Sequence, residues 1–222
     1  AGDWDGDGLP DLIVNSIWGD VVWFRNVGTR QKPSLAPAQG VEVEWDGAQP
    51  ELKWGWRKPK HQENPKELLT QWRTTPVMFD WNGDGLMDLV MLDHQGYLAF
   101  FERAKRGGKL VLLPPKRCFV GVEGLPLHLN VATGGSSGRR KLAIADWDGD
   151  GLPDLLADGR NTLLYRNLGT EGGVTRFAPP CDLAARRLSN HTTAPTTVDF
   201  DADGKPELVL GAEDGFLYYL SR

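Results

Sequence analysis

The chain has 222 residues, 40% of them hydrophobic and 25% charged, with a formal net charge of −5 at pH 7, enough apolar content for a sizeable core. No run of 18 apolar residues occurs, which excludes a helical membrane span, and no basic stripe or known motif points to nucleic acid. Two cysteines, Cys118 and Cys181, cannot make a disulfide framework and are either one pair or two thiols.

Taken in chain order, the sequence is dominated by one repeated decapeptide. DWDGDGLPDL occurs at 3–12 and again, identical, at 146–155, with the variants DWNGDGLMDL at 80–89 and DFDADGKPEL at 199–208. The copies start 77, 66 and 53 residues apart, as expected of one unit carrying insertions of different length. An apolar run precedes the loop at 75–79, 141–145 and 195–198, and another follows it at 11–14, 88–92, 154–157 and 207–211. A tight turn and an aromatic run come next, at 20–26, 97–103, 162–167 and 216–220. Short Val-, Leu- and aromatic-rich runs between Gly and Asp turns predict strands. Outer strands are expected in 41–45, 110–120 and 175–180, and only 64–72, NPKELLTQW, has the pattern for a helical turn or two.

Four strands in about 50 residues predict a propeller blade. The expected fold is an all-β propeller domain over 1–222, with blades at about 1–45, 74–120, 139–180 and 192–222 and insertions at 46–73 and 121–138. The chain opens AGDWDGD, as a mature, trimmed or excised chain would. It starts at an acidic loop and stops after a third strand, so about three and a half blades are expected. That implies a larger propeller, a partner chain, or exchange of strands between the ends, because open sheet edges are liabilities.

The acidic loops follow the pattern D-x-[DN]-x-D-G-x-x-[DE]. Side chains at positions 1, 3, 5 and 9, with the carbonyl at position 7, supply the hard oxygens that Ca²⁺ prefers. The candidate ligands are Asp3, Asp5, Asp7, Leu9 and Asp11; Asp80, Asn82, Asp84, Leu86 and Asp88; Asp146, Asp148, Asp150, Leu152 and Asp154; and Asp199, Asp201, Asp203, Lys205 and Glu207. An EF-hand starts in the same way but needs a bidentate Glu at position 12; here Val14, Met91, Ala157 and Leu210 stand there, and the flanks read as strands. Up to four calcium ions are therefore expected, one per loop. The metal-free alternative is an Asx-rich turn, most plausible for the fourth loop with its Ala202 and Lys205. The loops hold 15 of the 30 acidic residues, and setting those carboxylates aside leaves a formal +10. Four bound divalent cations would bring the whole to +3, a balance that suits an anionic partner.

On these loops and their flanking strands the chain resembles the FG-GAP or VCBS repeat family of β-propellers. That resemblance implies calcium held between the two inner strands of each blade. The family includes integrin α-subunits, fungal lectins and secreted bacterial polysaccharide lyases, so the resemblance is specific for fold and metal and not for activity. It implies an extracellular or periplasmic, bacterial setting.

Blade connections alternate between two faces, which puts the calcium loops on one face and the unrepeated insertions on the other. All four histidines, His61, His94, His128 and His191, are expected opposite the loops, with Trp18, Trp54, Trp56 and Trp72. Trp54, Trp56, Arg57, His61, Trp72, Arg73, Arg139 and Arg140 are candidates for gripping an acidic sugar by stacking and ion pairing. His94, His128, His191 and Tyr97 are candidates for acid–base work in β-elimination at a uronate, with strand packing the simpler expectation for Tyr97. Trp4, Trp81, Trp147 and Phe200 share loop position 2 and are expected to pack between blades. TGGSSGRRK at 133–141 lacks phosphate-loop spacing and reads as a loop. Three functions remain open. They are binding or cleavage of an acidic polysaccharide, a non-catalytic lectin-like or adhesion module, and a structural repeat that assembles through incomplete blades.

Overall fold

The computed structural model describes residues 1–51, 64–71, 73–131, 139–190 and 192–221. Among them the fold is all-β, built of short strands in small sheets with no helix. The chain divides into two compact units, Ala1–Arg117 with His128–Gly138, and Cys118–Leu127 with Arg139–Arg222.

The first unit holds the first two repeats. Strands β1 (Leu12–Asn15), β2 (Val21–Phe24) and β3 (Gln39–Gly40) form one antiparallel sheet in that order. Strands β4 (Val77–Phe79), β5 (Asp88–Leu92) and β6 (Leu98–Phe101) form the second. All five residues of β5 are buried, so it is covered on both faces, which is why its sequence DLVML lacks polar alternation. Leu89 and Met91 of β5 share one buried cluster with Trp4, Ile13 and Val21 of the first repeat and Phe101 of β6.

After β6 the chain leaves its sheet. Gly107 and Gly108, at φ 57° and 78°, close a hairpin between β7 (Arg103–Arg106) and β8 (Lys109–Leu112). Two adjacent residues with positive φ are what a tight hairpin turn requires. Hence 110–120 does not make the expected outer strand: β8 pairs with β7, and only Lys116 bridges back to Phe100 of β6. The expected helical turn at 64–72 is not formed in its described part. Glu67 instead bridges to Glu42 and Leu69 to Asp20, with Leu68 buried in the cluster; pairing and burial outweigh a weak local helix propensity.

The second unit holds the last two repeats. Strand β9 (Phe119–Val120) pairs in parallel with β14 (Val174–Phe177), itself the partner of β13 (Asn167–Glu171). Strands β10 (Leu142–Ala145), β11 (Asp154–Asp158), β12 (Thr162–Tyr165) and β15 (Cys181–Asp182) form a four-stranded sheet in that order. Gly172 and Gly173, at φ 58° and 78°, repeat the glycine-pair hairpin, so 175–180 goes into the side sheet and Cys181–Asp182 supplies the outer strand. Strands β16 (Ala194–Val198), β17 (Glu207–Gly211) and β18 (Leu217–Leu220) form the last sheet. Trp147, Leu156 and Leu164 of the third repeat share a buried cluster with Leu208 and Leu210 of the fourth. Cys118 and Cys181 are both thiols, with no disulfide between them.

Loop position 2 behaves differently along the chain. Trp4 and Trp147 are 5% and 9% exposed, Trp81 is half-buried, and Phe200 is 66% exposed. The expectation that Phe200 packs between repeats is thus corrected: Trp147 is covered by the repeat that follows it, whereas the exposed Phe200 ring meets Tyr219 of its own sheet, edge-on at 5.6 Å. Trp147→Ala should cost about 3–5 kcal/mol, the range for a buried aromatic, while Phe200→Ala should cost less than about 0.5 kcal/mol, as exposed positions do. Urea unfolding followed by circular dichroism checks the contrast, and equal losses would contradict it.

Candidate functional site

The four acidic loops share one internal scaffold. The carboxylate at position 1 accepts backbone N–H groups from the far side of its own loop: Asp3 from Gly6 and Gly8 at 2.9 Å each, and Asp80 from Asp84 and Gly85 at 3.1 and 2.9 Å. Asp146 accepts from Gly149, Asp150 and Gly151 within 3.1 Å, and Asp199 from Asp203 and Gly204 at 3.1 Å each. Position 5 accepts the N–H of position 7 in every copy, at 2.8 to 3.0 Å. The glycine at position 6 makes the turn possible: Gly8, Gly85, Gly151 and Gly204 lie at φ 84–87°, a region that side chains with a Cβ avoid.

In three loops carboxylate oxygens of at least three residues lie within 4.8 Å of one another: Asp3, Asp5 and Asp7; Asp146, Asp148 and Asp154; Asp199, Asp201, Asp203 and Glu207. Two oxygens bound to one Ca²⁺ at about 2.3–2.6 Å can be no farther apart than about 5 Å, so these donor sets fit a hard cation. In the second loop Asn82 replaces an acid, and its amide donates to Asp84 at 3.1 Å. Basic side chains reach carboxylates of the other three loops. Arg25 lies 2.6 Å from Asp5 and 3.1 Å from Asp7, Arg166 3.5 Å from Asp148, and Lys205 3.0 Å from Asp203.

Position 9 has a role that residue type alone did not reveal. Asp11, Asp88 and Asp154 are fully buried and Glu207 is 3% exposed. One oxygen of each accepts the N–H of loop position 2, from Trp4, Trp81, Trp147 or Phe200, at 2.7 to 3.2 Å. In the first three repeats the other oxygen accepts an N–H just past the third strand, from Asn26, Arg103 or Asn167, at 2.7 Å each. Position 9 therefore ties the loop to the third strand. Burial pushes the Asp88 carboxyl up to about 6, against the pull of its two N–H donors, and raises that of Asp154 for the same leading reason. The repeated FRNVGT and YRNLGT carried a signal for this scaffold: Asn26 and Asn167 donate to the carbonyls of Pro10 and Pro153 and accept the N–H groups of Gly28 and Gly169. In the second repeat Arg103 stands in that place. It lies over the Trp4 ring at 3.6 Å and donates to the Trp4 carbonyl at 3.0 Å. Burial lowers its pKa to about 10, opposed by nearby Asp88 and Asp5.

The turn between β5 and β6 lies at the other end of β5, roughly 16 Å from the acidic loop at 3.3 Å per residue. It brings three of the candidate catalytic residues together. His128 stacks on Tyr97 with centroids 4.0 Å apart and planes 9° off parallel, and its Nε2 lies 2.9 Å from the Gln95 carbonyl. Arg117 lies over the Tyr97 ring at 4.0 Å and pairs with buried Asp93 at 2.6 Å. His94, in the same turn, is half-buried; desolvation lowers its pKa, with Asp93 opposing and Arg117 adding to the shift. Gly96 at φ 85° could carry no Cβ, which would fall 1.9 Å from the Asn130 carbonyl. Asp93, Gln95 and Arg117 were not legible as members of this cluster, since their side-chain contacts span up to 24 residues.

Of the candidate ligand-gripping residues, Trp54, Trp56, Arg57, His61 and Trp72, with His191 from the catalytic set, lie outside the described residues. Arg73, exposed at φ 65°, belongs to the first unit. Arg139 and Arg140 belong to the second, where Arg140 turns toward buried Asp158 at 3.6 Å.

An all-β chain of repeated acidic loops, each tied into a small antiparallel meander, defines a class of repeat protein. A family model described as FG-GAP-like repeat matches residues 80–157 and again 146–210, and the chain belongs to that family. The first loop, at 3–12, lies before the matched residues yet is identical to the third. Neither the search of curated proteins nor that of solved structures returned a match.

Two outcomes follow from the loops. Ala202 sits at φ 59° where the other loops have Gly6, Gly83 and Gly149 at φ 72–80°, so Ala202→Gly should raise stability by about 0.5–1 kcal/mol in thermal unfolding; destabilisation would contradict the strain. The folded value of Asp88 lies above its ordinary 3.8, so its contribution to the metal-free fold is full below about pH 4 and is lost as pH rises through about 6. Carbon NMR of the Asp88 carboxyl in chelator should give a midpoint near 6; a midpoint at or below the ordinary value would overturn the desolvation argument.

Proposed function

We propose that this chain is a calcium-clipped β-propeller module that binds an extended acidic glycan with the turns opposite its acidic loops. The observation that carries the calcium part is the convergence of carboxylate oxygens within 4.8 Å in three loops, each with its position-1 Asp already held by backbone N–H groups. Residues at positions 1, 3, 5 and 9, with the position-7 carbonyl, would hold the ion, and Ca²⁺ matches an all-oxygen set on a flexible loop better than Mg²⁺ does. The bound ion offsets the repulsion among clustered carboxylates and fixes each loop against its strands. The loops are largely exposed, which fits the weak, extracellular class of calcium site, and we place the protein outside the cytoplasm.

The glycan reading rests on the turn between β5 and β6 and on Arg73, an exposed cation of the same unit. One observation favours a second, catalytic version: His94 and Tyr97 belong to one turn, and His128 and Arg117 pack against the Tyr97 ring. In β-elimination at a uronate, His94, whose pKa burial lowers, would accept the C5 proton. An adjacent Tyr97 or His128 would protonate the departing glycosidic oxygen, and the C4–O bond would break as the C4–C5 double bond forms.

Chelation of calcium should lower the melting temperature by several degrees, with recovery on adding Ca²⁺ but not Mg²⁺; an unchanged melt would overturn the calcium reading. Incubation with polyuronates separates the two versions. Retained binding without new ultraviolet absorbance of an unsaturated uronate supports a binding module. Product that disappears in His94→Ala supports the lyase. Neither binding nor product on acidic glycans would reject the ligand class.

A further inference from the structure

Each repeat presents two apolar faces, and the chain itself shows how they meet. In the first repeat the forward face is Trp4, Ile13, Val21 and Trp23, with Ile13 opposite Trp23 across the β1–β2 pair. It shares a buried cluster with Leu89, Met91, Ala99 and Phe101, the rear face of the second repeat. In the third repeat Trp147, Leu156 and Leu164 form the forward face. They share a cluster with Leu208, Leu210, Tyr218 and Leu220, the rear face of the fourth. Two joints, one in each unit, thus have the same polarity and the same registered positions.

The matching forward face of the fourth repeat is bare. Val209 lies opposite Tyr219 as Ile13 lies opposite Trp23. Phe200 is 66%, Leu217 78% and Tyr219 53% exposed, and together they line a shallow hollow of about 390 Å³. At the other end of the repeat order, Leu12 and Val14 hold the rear-face positions that Leu89 and Met91 hold in the second repeat. They are 38% and 42% exposed where Leu89 and Met91 are fully buried. Contiguous apolar surface of this kind on a folded protein marks an interaction site.

We propose that the forward face of the fourth repeat docks the rear face of the first repeat of a second copy of this chain, head to tail. The two internal joints are the template, because Leu12 and Val14 offer Phe200 and Tyr219 the same aliphatic pair that Leu89 and Met91 offer Trp4 and Trp23. Such a contact is heterologous, so it closes into rings or extends into chains. It does not depend on the glycan or calcium readings, since it rests on apolar residues alone.

Complementary variants of the full chain, studied by sedimentation in Ca²⁺, test the contact. The wild type should show a mass that rises with concentration. Leu217→Glu blocks the forward face and Val14→Glu the rear face, so each alone should sediment as a monomer. Mixed in equal amounts, they should form a one-to-one heterodimer through the one intact face on each. A wild type that stays monomeric at every concentration overturns the proposal, as do variants that still self-associate or a mixture that stays monomeric. Both positions are exposed, so folding should survive; circular dichroism checks this, and Tyr219→Lys and Leu12→Lys replace any variant that does not fold.

Discussion

The structure depends on a buried carboxylate at the start of the second strand of every repeat. Asp11, Asp88 and Asp154 each accept one N–H from their own loop and one from the end of the third strand. A carboxylate is costly to remove from water, and two short N–H···O bonds are the compensation that makes its burial tolerable. The same bonds fix the distance between loop and sheet, so the remaining carboxylates hang from a rigid point. Position 1 then organises the loop backbone, and in three loops it lies in a cluster of carboxylates with position 3. Glu207, one methylene longer, keeps the loop bond through Phe200 and belongs to a carboxylate cluster with Asp199, Asp201 and Asp203.

This arrangement leaves each loop electrostatically incomplete. Arg25, Arg166 and Lys205 lean onto three of the loops, but side chains this exposed contribute little stability and are screened by salt. A divalent ion in the proposed position would meet several carboxylates at once and would not need to be held by a long flexible chain. The loops thus belong to the architecture, and the opposite turns are left to vary. Arg117 and His128 meet Asp93 and Tyr97 at one such turn, and Arg140 meets buried Asp158 at its counterpart in the third repeat.

Much of this was legible in the sequence because it is written four times. The strands that flank each loop fall where alternating apolar runs and glycine turns put them, and the loop geometry follows from Asp, Gly and their spacing. What was not legible depended on contacts far apart in sequence. The glycine pairs at 107–108 and 172–173 divert the chain into side hairpins, so the outer strands lie elsewhere than the apolar pattern implied. Residues 64–71 have a helical composition but are drawn into bridges with Glu42 and Asp20. Phe200 shares its position with Trp4 and Trp147 yet is exposed, because burial there comes from the following repeat and not from the residue. The joining of Tyr97 to His128 across the insertion had no local signal at all.

The acidic loops are proposed as cation sites on which each repeat is built. Calcium stoichiometry tests this proposal most directly, by titrating the chelator-stripped chain and counting bound ions by atomic emission. At least three calcium ions per chain are expected, from the three loops whose carboxylates converge, with the count falling by one in Asp146→Ala. Fewer than one ion per chain at millimolar calcium would contradict it.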